Sequence, residues 1–180
     1  MRKLVVFNSV TLDGYFSGHQ GDISWAHAPN PDPEWNAFVE ENAKGDSMLL
    51  FGRVTYEMMA GYWPTPAASK NAPLVAERMN HLPKVVFSRT LDTPSWTNTR
   101  VVKGDIGAAV RKMKEDRGPG MAMFGSGSIV SQLTQLGLID EYQVVVIPVV
   151  LGKGRTMFEG LTERLMLKRT QTRTFGNGNV

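Results

Sequence analysis

The stretch Met121-Ala122-Met123-Phe124-Gly125-Ser126-Gly127-Ser128 restricts the possible folds of this chain more than any other. It reads as a short buried strand running directly into a glycine-serine turn. Helical spacing follows at once, with Ile129, Val130, Leu133 and Leu136 on one face. A strand that ends on glycine and opens a helix leaves backbone N–H groups pointing out of the helix start. With the positive end of the helix dipole, those groups form a ready anion site. The two glycines allow a phosphate to approach closely, and Ser126 and Ser128 carry hydroxyl donors. The same residues would also serve a serine-capped turn with no ligand.

The segments around this unit repeat its alternation. Leu4-Val5-Val6-Phe7 reads as a buried strand continuing towards Leu12, followed by a polar loop from Asp13 to Pro33 that holds Trp25 and Pro29-Asn30-Pro31-Asp32-Pro33. A helix is predicted over Glu34 to Ala43, ended by Gly45. Met48 to Phe51 reads as a strand, Arg53 to about Ala60 as a helix, and the Pro-, Ala- and Ser-rich stretch after it as a loop. A short helix near Leu74 to Met79 comes next. Lys84 to Phe87 and Arg100 to Val102 are strands, and Ile106 to Lys114 is an amphipathic helix closed by Gly118-Pro119-Gly120. Glu141 to Val150 is a valine-rich strand, and Leu165 to Phe175 alternates as a half-buried strand would. Strands alternating with helices predict a layered α/β chain with a largely parallel sheet. The two late strands predict an antiparallel edge.

A length of 180 residues fits one domain spanning 1–180. No apolar run approaches the roughly 20 residues needed to cross a bilayer, and Met1-Arg2-Lys3 leads straight into a strand. There is no cysteine, which removes disulfides, thiolate nucleophiles and cysteine-bearing zinc sites, and fits a reducing cytosol. The formal charge of +3 is spread along the chain, and only Arg111-Lys112-Met113-Lys114 is locally basic, so nucleic-acid binding is not expected. His19, His27 and His81 lack ligand spacing, so no metal is expected.

In open α/β sheets, ligands gather at the carboxyl ends of the strands. Three such ends carry phosphate chemistry here: Gly52-Arg53-Val54-Thr55, Ser88-Arg89-Thr90, and the turn from Gly125 to Ser128. Arginine offers the better fork for phosphate oxygens. Together the three ends favour a dinucleotide. A Rossmann fingerprint fails for want of a third glycine and an acidic partner, and Gly152-Lys153-Gly154 lacks the ending of an ATPase phosphate loop. No Gly-x-Ser-x-Gly elbow is present.

The order Thr11-Leu12-Asp13-Gly14, Gly52-Arg53-Val54-Thr55-Tyr56-Glu57, Val86-Phe87-Ser88-Arg89, Gly125-Ser126-Gly127-Ser128 resembles the dihydrofolate reductase superfamily. The nearest branch is the reductase domain of the riboflavin-pathway deaminase/reductase and its stand-alone relatives. Leu12-Asp13-Gly14 and Pro148-Val149-Val150-Leu151-Gly152-Lys153-Gly154 carry that likeness. The resemblance implies a three-layer α/β/α fold with a central mixed sheet, and the continuous apolar run Leu4 to Phe7 predicts a first strand buried on both faces and lying centrally. The resemblance also implies a cytoplasmic, NADPH-dependent reductase of the 5-amino-6-(5-phosphoribosylamino)uracil reductase type, acting as a homodimer on a pyrimidine- or pterin-like substrate.

Carried over residue by residue, the resemblance assigns Gly52, Arg53, Val54, Thr55, Ser88, Arg89, Thr90, Phe124, Gly125, Ser126, Gly127, Ser128 and Ile129 to NADPH. It assigns Gly14, Trp25, Tyr56, Val149 and Leu151 to the substrate, and Asp13 to a polar substrate contact or proton relay. Asp-Gly is also a common turn, and Trp25 and Trp35 could equally be packing. The carboxylate that folate reductases place in the first long helix falls near Asn36, with Glu34 and Glu40 off register. Two other readings therefore stay open: dihydrofolate reduction, and a module that binds NADPH without turnover.

Overall fold

The computed structural model describes residues 1–27 and 32–180; the Pro29-Asn30-Pro31 part of the proline-rich stretch lies outside the described residues. Six parallel strands form the central sheet: β1 Leu4–Thr11, β3 Ser47–Gly52, β4 Lys84–Phe87, β5 Thr99–Val102, β6 Gly120–Phe124 and β7 Glu141–Ile147. Their spatial order is β5-β4-β3-β6-β1-β7, so β1 is an interior strand between β6 and β7. Among the described residues, antiparallel pairing is confined to a small ribbon of β2 Tyr15–Ser17 with β8 Arg155–Thr156, and to Val180, which exchanges both backbone hydrogen bonds with Val146 at 2.8 and 3.0 Å.

Alternation along the strands builds two cores, because successive side chains leave a sheet on opposite faces. Leu50, Val85, Phe87, Met121 and Met123 face α5 Ile106–Glu115 and α6 Gly127–Gln135 through Val110, Met113, Val130 and Leu133. Leu49, Phe51 and Val86 face the other way, onto Val39 and Ala43 of α1 Pro33–Lys44, Tyr56 of α2 Arg53–Tyr62, and Val75 and Met79 of α4 Pro73–His81. The result is the three-layer α/β arrangement of the dihydrofolate reductase-like fold. Two of the helix starts are set by an aspartate cap. Asp32 accepts from the Glu34 and Trp35 N–H groups with Pro33 at the first helical position, and Asp105 accepts from the Ala108 N–H.

Several expectations are corrected. The stretch after α2, predicted as loop, contains α3 Pro66–Asn71, because Thr65 caps the Ala68 N–H and Pro66 is pre-set for the first turn. The predicted strand over Leu165 to Phe175 does not form. Among the described residues no strand pairs with it, and Leu165, Met166 and Leu167 are exposed. Alternation supplies a face, but a strand also needs a neighbour for its backbone groups. The valine-rich strand stops at Ile147 because Pro148 has no N–H to give a ladder, and it runs parallel to β1 rather than as an antiparallel edge.

Candidate functional site

A cleft of about 640 Å³ opens across the carboxyl ends of β1, β3, β4 and β6. A neighbouring cleft of about 650 Å³ shares Phe87, Arg89, Ile106 and Gln132 with it, so the two form one groove along the sheet edge. The strand order fixes the sequence of chemistry along that groove. Arg89 follows β4, Arg53 follows β3, the glycine-serine turn follows β6, and the β2–β8 ribbon lies beyond β1.

The turn is held by buried side chains. Gly125 and Ser126 are both left-handed, with φ of 59° and 57°. A Cβ on Gly125 would come within 2.7 Å of the Thr55 methyl group, so glycine is required there both by backbone angle and by space. Asn8, buried in β1, brackets the Gly125 residue: its Oδ1 accepts from the Gly125 N–H at 2.6 Å and its amide donates to the Gly125 carbonyl at 3.2 Å. The Ser126 N–H donates to Thr55 Oγ1 at 3.0 Å, while Ser126 Oγ accepts from the Gly52 N–H at 2.7 Å and donates to the Phe124 carbonyl at 3.1 Å. The N–H groups of Gly52, Gly125 and Ser126 are thereby spent inside the protein. The anion-facing groups are those of the next residues, Gly127 and Ser128 at the start of α6 and Arg53 and Val54 at the start of α2, which have no intrahelical partner.

Two helix starts and three arginines give the main cleft a positive lining, and among the described residues no carboxylate lines it. Arg53 bonds both oxygens of Glu57 through one nitrogen at 3.0 Å. Arg89 is exposed and, among the described residues, makes no ion pair. Its loop is shaped by Ser88 Oγ, which accepts from the N–H groups of Thr90 at 3.2 Å and Leu91 at 2.9 Å. Arg155, on β8, meets Glu159 at 3.3 Å.

Of the residues assigned to NADPH, all except Thr90 line the groove. Of those assigned to substrate, Trp25 does so, 9% exposed with its indole N–H on the Asp22 carbonyl at 3.2 Å. Tyr56 is corrected: it is 1% exposed in the core behind the sheet, and its hydroxyl accepts from the Trp96 N–H at 2.9 Å. Asp13, Gly14, Val149 and Leu151 lie outside the groove lining. The Asp13 carboxylate instead accepts from Thr11 Oγ1 and the N–H groups of Leu151 and Gly152, bonds that hold its pKa below the ordinary value. Trp35 packs edge-on against Phe175 with ring centroids 5.1 Å apart.

Sequence reasoning missed Asn8, Phe16, Ser17, His27, Arg155 and Thr156. Asn8 had a signal, since an asparagine inside a buried apolar strand needs partners. The others are brought in by the ribbon and by a short 3₁₀ turn over Ser24–His27.

Fold and groove together define a dihydrofolate reductase-like α/β protein with an anion-ready cleft at its strand ends. The chain belongs to the RibD C-terminal domain family, which it matches over residues 2–180. It is 28% identical to the uncharacterized protein YyaP of Bacillus subtilis strain 168 over 179 residues, covering 99% of this chain and 92% of that one. The uncharacterized YwjB of the same strain is 27% identical over 176 residues, covering 97% and 93%. A candidate riboflavin biosynthesis protein of Shewanella sp. PV-4 superposes with a TM-score of 0.75 at 23% identity, over 99% of this chain and 95% of that one. Dihydrofolate reductase from Enterococcus faecalis, solved with NADP(H), superposes at 0.57 and 17% identity over 98% and 92%. Among the described residues no helix is long and apolar enough to cross a membrane.

Proposed function

We propose that this protein is an NADPH-dependent reductase of a pyrimidine- or pterin-like heterocycle, of the 5-amino-6-(5-phosphoribosylamino)uracil reductase type. The observation that carries the proposal is the pair of helix starts, Arg53-Val54 and Gly127-Ser128, opening on one carboxylate-free cleft with the unpaired Arg89 at its end. These groups suit a dinucleotide: N–H groups for the diphosphate, and a guanidinium fork for a ribose phosphate. When bound, the nicotinamide would supply hydride to a C=N or C=O bond of the substrate. This chain's contribution is to hold the two reactants in register and exclude water.

Reduction also needs a proton. His27 lines the cleft, and histidine is the side chain best suited to proton exchange near neutral pH. We assign it as the proton donor. The second reading, a module that binds NADPH without turnover, draws on the absence of any carboxylate among the described residues lining the main cleft. NADPH oxidation in a panel of dihydropterins, aminopyrimidines and dihydrofolate separates the two. Turnover of a heterocycle supports the reductase; NADPH binding with no turnover across the panel supports the module.

A further inference from the structure

The β2–β8 ribbon lines the cleft beside the start of α6, presenting Phe16, Ser17, Arg155 and Thr156. Its strands have only three and two residues, far too few to hold a hairpin together unaided. The ribbon is also irregular: the register shifts between Tyr15 and Ser17, which sets the Phe16 ring against Gly127 at the start of α6. Something outside the ribbon must fix its position.

We infer that Asp13 is a positioning residue whose carboxylate latches the loop before β8 onto the turn before β2, and so sets the substrate wall of the cleft. Asp13 Oδ2 accepts from the Gly152 N–H at 2.8 Å and the Leu151 N–H at 3.1 Å, and Oδ1 accepts from Thr11 Oγ1 at 2.5 Å. Thr11 Oγ1 in turn accepts from the Tyr15 N–H at 2.9 Å, where β2 begins. The Leu12 N–H donates to the Val149 carbonyl at 2.9 Å, closing the same two loops from the other side. A single carboxylate therefore joins both ribbon strands at their roots, across a separation of 138 residues.

Close packing completes the latch. A Cβ on Gly154 would lie 2.2 Å from the Ser17 carbonyl oxygen, so only glycine lets the backbones meet where Arg155 turns towards the cleft. The Asp13 bonds to Leu151 and Gly152 are exposed, and water can replace them at little cost to global stability. What water cannot replace is the register between the loops. Loss of the latch is thus expected to move the wall without unfolding the protein. Because Asp13 lies outside the cleft lining, it acts through Phe16, Ser17 and Arg155 and not on the reacting atoms.

The test uses Asp13→Ala, which removes both carboxylate oxygens and leaves the N–H groups of Leu151 and Gly152 without their side-chain acceptor. Hydrogen exchange at Leu151, Gly152, Tyr15 and Ser17 should rise tenfold or more while the core strands stay protected. NADPH affinity, set mainly by the helix starts and Arg89, should change far less than KM does. With 5-amino-6-(5-phosphoribosylamino)uracil as probe, KM should rise at least tenfold, and the kcat–pH profile should keep its shape. Gly154→Ala, which displaces the ribbon while leaving the carboxylate in place, should raise KM in the same way. Unchanged exchange at Leu151 and Gly152 would overturn the latch. So would a fall in kcat at constant KM with an ionisation missing from the profile, which would make Asp13 catalytic. The kinetic arm rests on the reductase reading above. Exchange does not, so a wild type without turnover would sink that reading while exchange still decides on the latch.

Discussion

Arg89→Ala provides the sharpest test of the cofactor assignment, because NADPH and NADH differ only by one ribose phosphate. A phosphate dianion needs fixed cationic donors to offset its lost hydration. Arg53 is partly engaged, with one nitrogen bonding both Glu57 oxygens at 3.0 Å. Arg89 has no ion pair among the described residues and stands where the two halves of the groove meet. Its loop is pre-shaped by Ser88, so its ordering cost on binding is small. A charge-assisted hydrogen bond contributes about 1.5–3 kcal/mol. At an exposed arginine, solvent screening holds the loss towards the lower end of that range. Arg89→Ala should therefore weaken NADPH by about tenfold, rising towards a hundredfold at low salt. NADH should be almost unaffected. Fluorescence or calorimetric titration of both cofactors against both proteins reads the difference directly. Equal losses for NADH and NADPH would refute the reasoning and place Arg89 in support of the loop or the diphosphate.

Other perturbations probe the parts around it. Asn8→Leu leaves both the N–H and the carbonyl of Gly125 without their side-chain partner, and should lower unfolding free energy by about 2–5 kcal/mol in urea while abolishing NADPH binding. His27→Gln should cut kcat by about a hundredfold or more with NADPH affinity unchanged; an unaltered kcat would remove His27 from the chemistry. Lys84 is 1% exposed, gives its ammonium to the carbonyls of Asn80, Leu82 and Thr97, and is pushed by burial down to about 8. The unfolded chain then binds the extra proton between pH 8 and the ordinary lysine value of 10.5, so stability should rise with pH across that window, by at most about 3 kcal/mol. Denaturant titrations should show that rise vanish in Lys84→Met.

How far the sequence could be read depended on the range of the physics behind each residue. The strand-turn-helix unit from Met121 was legible because its requirements are local: a buried strand, a glycine at a left-handed position, an apolar helix stripe. The three strand ends were legible for the same reason, and the parallel order of the sheet places them side by side. Tyr56 was misjudged because the residue just before it, Thr55, does line the cleft. A step of about 100° per residue carries the tyrosine to the core side, and nothing local says which side is which. Arg155 and Thr156 were invisible because their place depends on pairing with Tyr15 and Ser17 from the far end of the chain. The failed strand near Leu165 shows the converse, a local pattern that found no partner among the described residues.

The two walls of the groove differ in what holds them, and this has a dynamic consequence. On the cofactor side the glycine-serine turn hangs on Asn8, Thr55 and Ser126, all buried, where a lost hydrogen bond leaves a polar group without water. On the substrate side the ribbon hangs on Asp13, whose bonds to Leu151 and Gly152 are exposed and can exchange with water. Opening the first wall would strand buried polar groups, whereas opening the second breaks the exposed bonds to Leu151 and Gly152, which water can replace. On the function proposed above, a groove built this way would keep its dinucleotide half preformed and leave its substrate half free to adjust. Specificity for the heterocycle should accordingly respond to changes in the ribbon and its latch, at Asp13, Ser17, Gly154 and Arg155, far more readily than to changes around the turn.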